Sequence, residues 1–437
     1  MRGGRARGWT WPSRLFLSGQ AVSMLGDGLA ALAIPLLVLD LTRNPLLSAL
    51  SAASVTVGYL LVGLPAGVLV DRLDPWRVLI AMDAARTLLF AALYALSVAG
   101  PLRVWLVLTL ALSAGACAVF FESALTVVVK HLFAASGLMA ANSAIELASQ
   151  FSLIAGPAIV GLLAAAGGTS LALLANALTF AVSLASLVTV THRSPVSRGY
   201  RRAGPAVPRW PEFAASVREG LRYLLSVRIL IVLTAVQMVV NLCLSVEKLI
   251  IYDARDTLGL SPPLVGAVVA AGGAGGLAGA LVAAPLARRA GEMRLVVLAI
   301  GSGGVAVAAM WLASSAAALA LANLGYGAAL VVASLVNRTQ RQRLVPRHLL
   351  GRVTSTVRVL FLAMDPLGVV AAGAATVALG GDPRPVFLAA GTVVVLAAAL
   401  GWAAGLRAAA GCADPRRPGP GPARGARPTG QGQSPEG

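Results

Sequence analysis

Twelve apolar runs, each about long enough to cross a bilayer, occupy nearly all of this 437-residue chain. A spanning helix needs about 20 mostly apolar residues. The runs lie at about 15–39, 46–69, 78–98, 104–128, 139–166, 170–190, 228–251, 263–287, 295–313, 316–336, 353–378 and 385–406. Charged residues make up only 12% of the chain and hydrophobic ones 58%. That leaves too few polar groups to cover a soluble surface. The runs are continuous rather than alternating, which excludes a transmembrane barrel. Pro35, Pro65, Pro157 and Pro285 fall inside runs, where neighbouring helices can re-satisfy the backbone groups that proline frees. The fold class is therefore an all-α polytopic membrane protein with 12 transmembrane helices. The first run follows Arg2, Arg5, Arg7 and Arg14 and contains the cleavage-like Ala31-Leu32-Ala33. It is too long for a signal-peptide core and is expected to remain as a helix.

The net charge of +18 has a topological explanation. With an even number of spans, the loops divide into two sets. Of the 35 Lys and Arg residues, 28 fall in the set that shares a side with the N-terminus. Only Arg43, Arg103, Arg255 and Arg384 fall in the other set. The positive-inside rule then places both termini in the cytoplasm, in a multi-pass protein of the cytoplasmic (inner) membrane. No folded basic domain presents a groove, so no nucleic-acid partner is expected.

Soluble chemistry finds little support. Cys117, Cys243 and Cys412 are far apart, and His131, His192 and His348 lack metal-ligand spacing. No disulfide framework and no metal site are expected. Gly273, Gly275 and Ala278 have the spacing of a dinucleotide fingerprint but sit in mid-membrane. The pairs Gly272/Gly276 and Gly275/Gly279 are better read as close helix packing. A phosphate-binding GxxxxGK[ST] loop is absent. No catalytic cluster is evident, so the chain is not expected to be an enzyme.

The chain divides at its middle. Residues 1–14 are expected to form a cytoplasmic tail, 15–192 a first six-helix bundle, 193–227 a cytoplasmic loop, 228–407 a second six-helix bundle and 408–437 a disordered Pro/Gly/Arg-rich tail. The second part of the loop reads as an interfacial helix, with Phe213, Val217, Leu221 and Leu224 on one face. The halves repeat each other. The Asp71/Arg72 loop has its counterpart at Arg288/Arg289, and the segment around Lys130 has its counterpart around Arg347. Two pseudo-symmetric bundles joined by a central loop are an architecture of secondary transporters.

Over about 15–406 the chain resembles the major facilitator superfamily, in the branch of macrolide-efflux proteins and the enterobactin exporter. Gly67, Asp71 and Arg72 match its loop motif between helices two and three, with Arg77 as the distal basic residue. Pro75 and Trp76 depart from that motif. Gly156, Pro157 and Gly161 are similar to the exporter motif of helix five, with Val160 replacing a glycine. Gly26-Asp27-Gly28, Asp83 with Arg86, Phe120-Phe121-Glu122 and Ala140-Ala141-Asn142 also match. The resemblance implies a cytoplasmic gate at Gly67, Asp71, Arg72 and Arg77. Asp71 would accept from a helix N-terminus of the other half.

Ionisable groups within spans cost free energy and call for a function. Asp27, Glu122 and Asp365 are the candidates for proton coupling. Asp83, Arg86, Glu146 and Arg358 form an expected buried charge network. Glu247 and Lys248 are expected to snorkel at the outer end of helix seven. Asn142, Asn176, Gln237, Asn241 and Asn323 either line a cavity or bond between helices. The expected function is proton-coupled export of a mid-sized, mostly apolar drug or secondary metabolite by alternating access. No cofactor is expected; the proton gradient supplies the energy. The partners are a small-molecule cargo and membrane lipids, and the chain is expected to be monomeric. A siderophore exporter of the same fold is one alternative, and a lipid-handling protein or enzyme is a second.

Overall fold

A computed structural model describes residues 10–100, 102–133, 135–193, 218–219, 221–346 and 350–406. Residues 1–9 of the N-terminal tail, most of the central loop and the expected C-terminal tail lie outside them. So does the greater part of the expected interfacial helix, including Phe213 and Val217. Within the described part, residues 221–226 are helical. Leu224 is buried against Val345, Val353 and Val357, so it packs on protein rather than on lipid.

The elements are α1 (Trp11–Thr42), α2 (Pro45–Ala52), α3 (Ser54–Arg72), α4 (Pro75–Ala99), α5 (Val104–Leu132), α6 (Ala135–Gly167), α7 (Thr169–Arg193), α8 (Arg228–Leu244), α9 (Pro262–Ala290), α10 (Glu292–Met310), α11 (Ala316–Leu344), α12 (Leu350–Ala378) and α13 (Arg384–Gly401). No strand occurs among the described residues. Eleven helical segments are long and apolar enough to span a membrane, and α2 with the first half of α3, bent by 51°, make a twelfth. Leu88, Leu281 and Leu321 are about 70% exposed. Such side chains suit a surface bathed in lipid, and the chain is an integral membrane protein.

Several helices outrun their apolar runs. α11 continues through Asn337 to Leu344, because hydropathy marks the hydrocarbon thickness whereas backbone hydrogen bonds continue to the cap. The second span begins where Asn44 caps α2, accepting from the Leu46 and Leu47 N–H groups at 2.9 and 3.2 Å, with Pro45 at the first helical position, and it bends at Ala53, between α2 and α3. The seventh span does not end near residue 251. It continues beyond α8 as a 3₁₀ turn (Ser245–Leu249), a helical turn (Ile250–Tyr252) and a π turn (Asp253–Thr257). Such irregular winding within a span often marks a functional site.

The first bundle comprises α1–α7 and the second α8–α13. The start of α1 defines a terminal side and its end a distal side. The bundles meet along α6 and α9, and where α2 packs on α12. Glycines permit the approach. A Cβ on Gly156 would lie 2.3 Å from the Gly28 backbone, and one on Gly161 would lie 2.6 Å from the Pro262 carbonyl. The exporter-like Gly156-Pro157-Gly161 segment thus packs α6 on α1 with one glycine and on the other bundle with the next. The predicted close packing at Gly275 and Gly279 is against α11, at the Leu324 and Ala328 backbone.

Candidate transport site

A cavity of about 510 Å³ opens within the first bundle, between α1, α2, α3, α4, α5, α6 and α7. It runs from Ile34 and Ser51, in the distal halves of their spans, towards Val129 and Asn142 near the terminal side. Phe90, Phe121 and Phe180 supply aromatic wall, and Asp27, Glu122 and Glu146 bring carboxylates to it. Asp27 keeps 51% of its side chain exposed there.

Beneath Asp27 lies Arg86, only 1% exposed. Its Nη1 donates to Asp27 Oδ1 at 3.2 Å, and its Nη2 donates to Asp83 Oδ1. The Ser23 hydroxyl accepts from the same Nη2 at 3.4 Å. The guanidinium packs on the Phe121 and Phe180 rings, 4.2 and 4.3 Å from their centroids. Asp83 and Arg86 meet because residues three apart share a helix face, and α4 turns that face inward. Its entry is set by Asp74, which accepts from the Trp76 N–H at 3.0 Å, and by Pro75 at the first position. Trp76 is buried edge-on against Phe16 at 5.8 Å. The two departures from the loop motif therefore start and anchor a helix.

The expected charge network is drawn differently. Asp27 joins Asp83 and Arg86, whereas Glu146 accepts from Gln150 at 2.9 Å on its own helix. The side chain of Arg358 lies outside the described residues. So do those of Asp71 and Arg72 in the expected gate, along with the surroundings of Gly67. Arg77, largely exposed, pairs with Asp74 at 3.6 Å.

The second bundle has its own charge site. Lys248 does not snorkel. Its Nζ lies 2.5 Å from Asp365 Oδ1, which also accepts from Ser245 Oγ at 2.8 Å. The 3₁₀ turn points Lys248 at α12 instead of the interface. Three amides bond between helices: Asn241 donates to the Phe361 carbonyl, Asn337 to Gln237 Oε1 and Asn323 to the Val268 carbonyl. Asn142 lines the cavity, and Asn176 is fully buried.

A third group was not picked out from sequence. At the distal end Arg43 pairs with Asp256, and Asp40 pairs with Arg255 at 3.7 Å. Both pairs join α1 to the π turn, and so one bundle to the other. The Thr169 hydroxyl donates to Asp40 Oδ2 at 3.0 Å. Arg43 and Arg255 are two of the four basic residues on the sparsely charged side, which was their only sequence signal.

The whole-chain pattern also matches known proteins. The family model of the Major Facilitator Superfamily matches residues 16–364. The chain belongs to the major facilitator superfamily. Members of this superfamily are transporters, not enzymes. The multidrug efflux pump Tap of Mycobacterium tuberculosis (strain ATCC 25618 / H37Rv) is 27% identical over 386 residues, covering 84% of this chain and 88% of the relative. The Mycolicibacterium fortuitum pump of the same name is 27% identical over 375 residues, covering 83% and 88%. Among solved structures, the nucleoside transporter NupG is similar with a TM-score of 0.73 at 12% identity, covering 90% of this chain and 99% of that one. A bacterial homologue of the iron transporter ferroportin, in its inward-facing state, gives 0.63 at 19% identity, covering 89% and 98%. At those identities the structural likeness speaks for the superfamily fold.

Proposed function

We propose that this chain is a proton-driven exporter of mid-sized, mostly apolar organic compounds, set in the cytoplasmic membrane with both termini in the cytoplasm. The observation that carries this reading is the cavity of about 510 Å³, with apolar and aromatic walls and a carboxylate, Asp27, half exposed in it. A ligand site combines apolar area with a few placed polar groups, and an ionisable group inside a membrane protein marks a substrate or proton path. The drug-efflux relatives support the direction and cargo class. Alternating access requires the bundles to part at one end while they close at the other. The α6–α9 contact and the distal ion pairs support a form closed on the distal side and open on the terminal side.

The cavity wall argues against siderophore export. An anionic cargo needs a cation facing it, but Arg86 is 1% exposed and already bonded to two carboxylates. The carboxylates of Asp27, Glu122 and Glu146 favour neutral or cationic compounds.

Everted vesicles with an acid interior provide the test. Tetracycline and the dye Hoechst 33342 are expected to accumulate only when the protein is present and to leak away when a protonophore is added. A catecholate siderophore is expected not to accumulate. Accumulation that ignores the protonophore would remove the proton from the mechanism. Preference for the siderophore would reverse the cargo assignment.

A further inference from the structure

We propose that Asp83 is a standing counter-charge for Arg86, and that this leaves Asp27 as the carboxylate free to take up and release the coupled proton. The inference rests on the exporter reading above. It distinguishes Asp27 from Asp83, the other carboxylate on Arg86, and it gives Asp83 and Arg86 positioning roles.

A guanidinium keeps its proton in a protein. Buried in low dielectric, it must stay paired, because a stranded buried charge is far more costly than a paired one. Arg86 is 1% exposed and Asp83 is fully buried. Both stand on α4, three residues apart, so their pairing persists however α4 moves against α1. The Phe121 and Phe180 rings both pack on the guanidinium. Asp27 comes from a different helix and is the member of the triad that meets the cavity.

The charge balance follows. With Asp27 ionised, the triad carries one net negative charge. When Asp27 Oδ binds a proton from the open side, the triad becomes neutral, Arg86 remains protonated and Asp83 still compensates it. Release of that proton to the other side restores the first state. At no stage is the arginine left alone. In the second bundle Lys248 pairs directly with Asp365, and Glu247 lies within electrostatic reach of both.

The other groups around Asp27 are few. α4 supplies Asp83 and Arg86. α5 supplies Glu122, and Cys117 within electrostatic reach of Arg86. α6 supplies Glu146 and α3 supplies Tyr59. α7 brings Phe180 to the cavity and α2 brings Ser51, neither of which titrates. Glu122 and Glu146 are the further acids of the cavity wall, and Arg86 is the cation beside Asp27.

Two measurements test the proposal. The first is the pH profile of Hoechst 33342 uptake into everted vesicles. In Asp83→Asn the amide oxygen still accepts from Arg86, but the full positive charge now acts on Asp27. The interior pH giving half-maximal uptake is expected to fall by about 1 unit, the lower end of the effect of an adjacent arginine on a carboxylate. A purely structural Asp83 would lower the amount of protein or the maximal rate and leave the profile in place. An unmoved profile in a normally inserted variant overturns the proposal. The second measurement is thermal melting in detergent. Asp27→Asn is expected to melt close to the wild type, because Asp83 still pairs with Arg86. The double variant Asp27→Asn, Asp83→Asn strands the arginine and is expected to melt far lower or fail to insert. Equal melting of the single and double variants overturns the counter-charge. If the wild type moves no dye under a gradient, the exporter reading fails, and the melting comparison still decides the role of Asp83.

Discussion

Arg43 of α1 reaches across the bundle boundary to Asp256 in the π turn that ends the seventh span. Arg43 is the one non-glycine among the described residues with a positive φ, 52°, a region that residues with a Cβ seldom enter. It ends α1 by bonding its N–H to the Leu39 carbonyl at 2.8 Å. One turn earlier Asp40 faces Arg255. The signs alternate, acid and base on each side, so the two pairs fit in only one register. These contacts exist only while the distal ends are together.

The first prediction concerns this latch. Arg43→Asp places two acids face to face and is expected to favour distal opening. An exposed pair is worth about 0.2–1 kcal/mol, so the open population should rise about 1.4- to fivefold. Cysteine replacing Ile34 in the cavity wall, in a background lacking the native cysteines, reports the opening through its labelling by an impermeant maleimide from the distal side. Arg43→Asp should speed this labelling, and adding Asp256→Arg should slow it again. Failure of the swapped pair to slow it would show that the contact does not hold the closed form.

The second prediction concerns the other bundle. Lys248 and Asp365 are largely buried at 2.5 Å. Removing one partner from such a pair costs about 3–5 kcal/mol, whereas replacing both with apolar residues is often neutral. Lys248→Met and Asp365→Leu are each expected to lower the melting temperature sharply, and the double variant is expected to recover most of the loss. The double variant should also keep gradient-driven uptake. Loss of that uptake alone, with stability recovered, would move the coupling site to Asp365.

Two glycines of α6 should behave differently. Gly156→Ala drives a methyl group into the Gly28 backbone inside the first bundle. Overpacking of this kind typically costs about 1–3 kcal/mol, and reduced melting temperature and yield are expected. Gly161→Ala pushes against Pro262 in the other bundle. Bundles that rock can yield there, so faster distal labelling of the Ile34 reporter is expected, with melting little changed. Identical behaviour of the two variants would contradict the assignment of one contact within a bundle and one between bundles.

Topology gives the fourth prediction. Cysteines replacing Ser314 and Asp382, both exposed at distal turns, should react with an impermeant reagent added to intact cells. Cysteines replacing Arg77 and Arg294, exposed on the terminal side, should react only after permeabilisation. The reverse pattern would invert the orientation drawn from the basic residues.

Much of the candidate site was legible as residue types. Asp27, Asp83, Arg86 and Glu122 stand out because charge within a 20-residue apolar run is costly wherever it lies. The spacing of Asp83 and Arg86 already places them on one helix face. Their union with Asp27 was not legible, since 59 positions separate Arg86 from Asp27 and only the packing of α4 beside α1 closes that distance. Lys248 was misplaced for a related reason. A regular helix would carry it towards the interface, but the 3₁₀ turn at Ser245–Leu249 turns it to Asp365.

By itself the sequence determined the class, the number of spans and the division into two bundles. These follow from local quantities: apolar length against bilayer thickness, the placement of Arg and Lys, and the repeat of loop motifs. Tertiary structure decided which charges are paired and which face the cavity. A carboxylate's role depends on what faces it across helix boundaries. Asp40 and Asp256, unremarkable in the chain, become parts of a latch, while Glu146 leaves the expected network for Gln150 on its own helix. Electrostatic partnership acts over a few ångströms of space, and hydropathy along the chain does not encode which helices are neighbours.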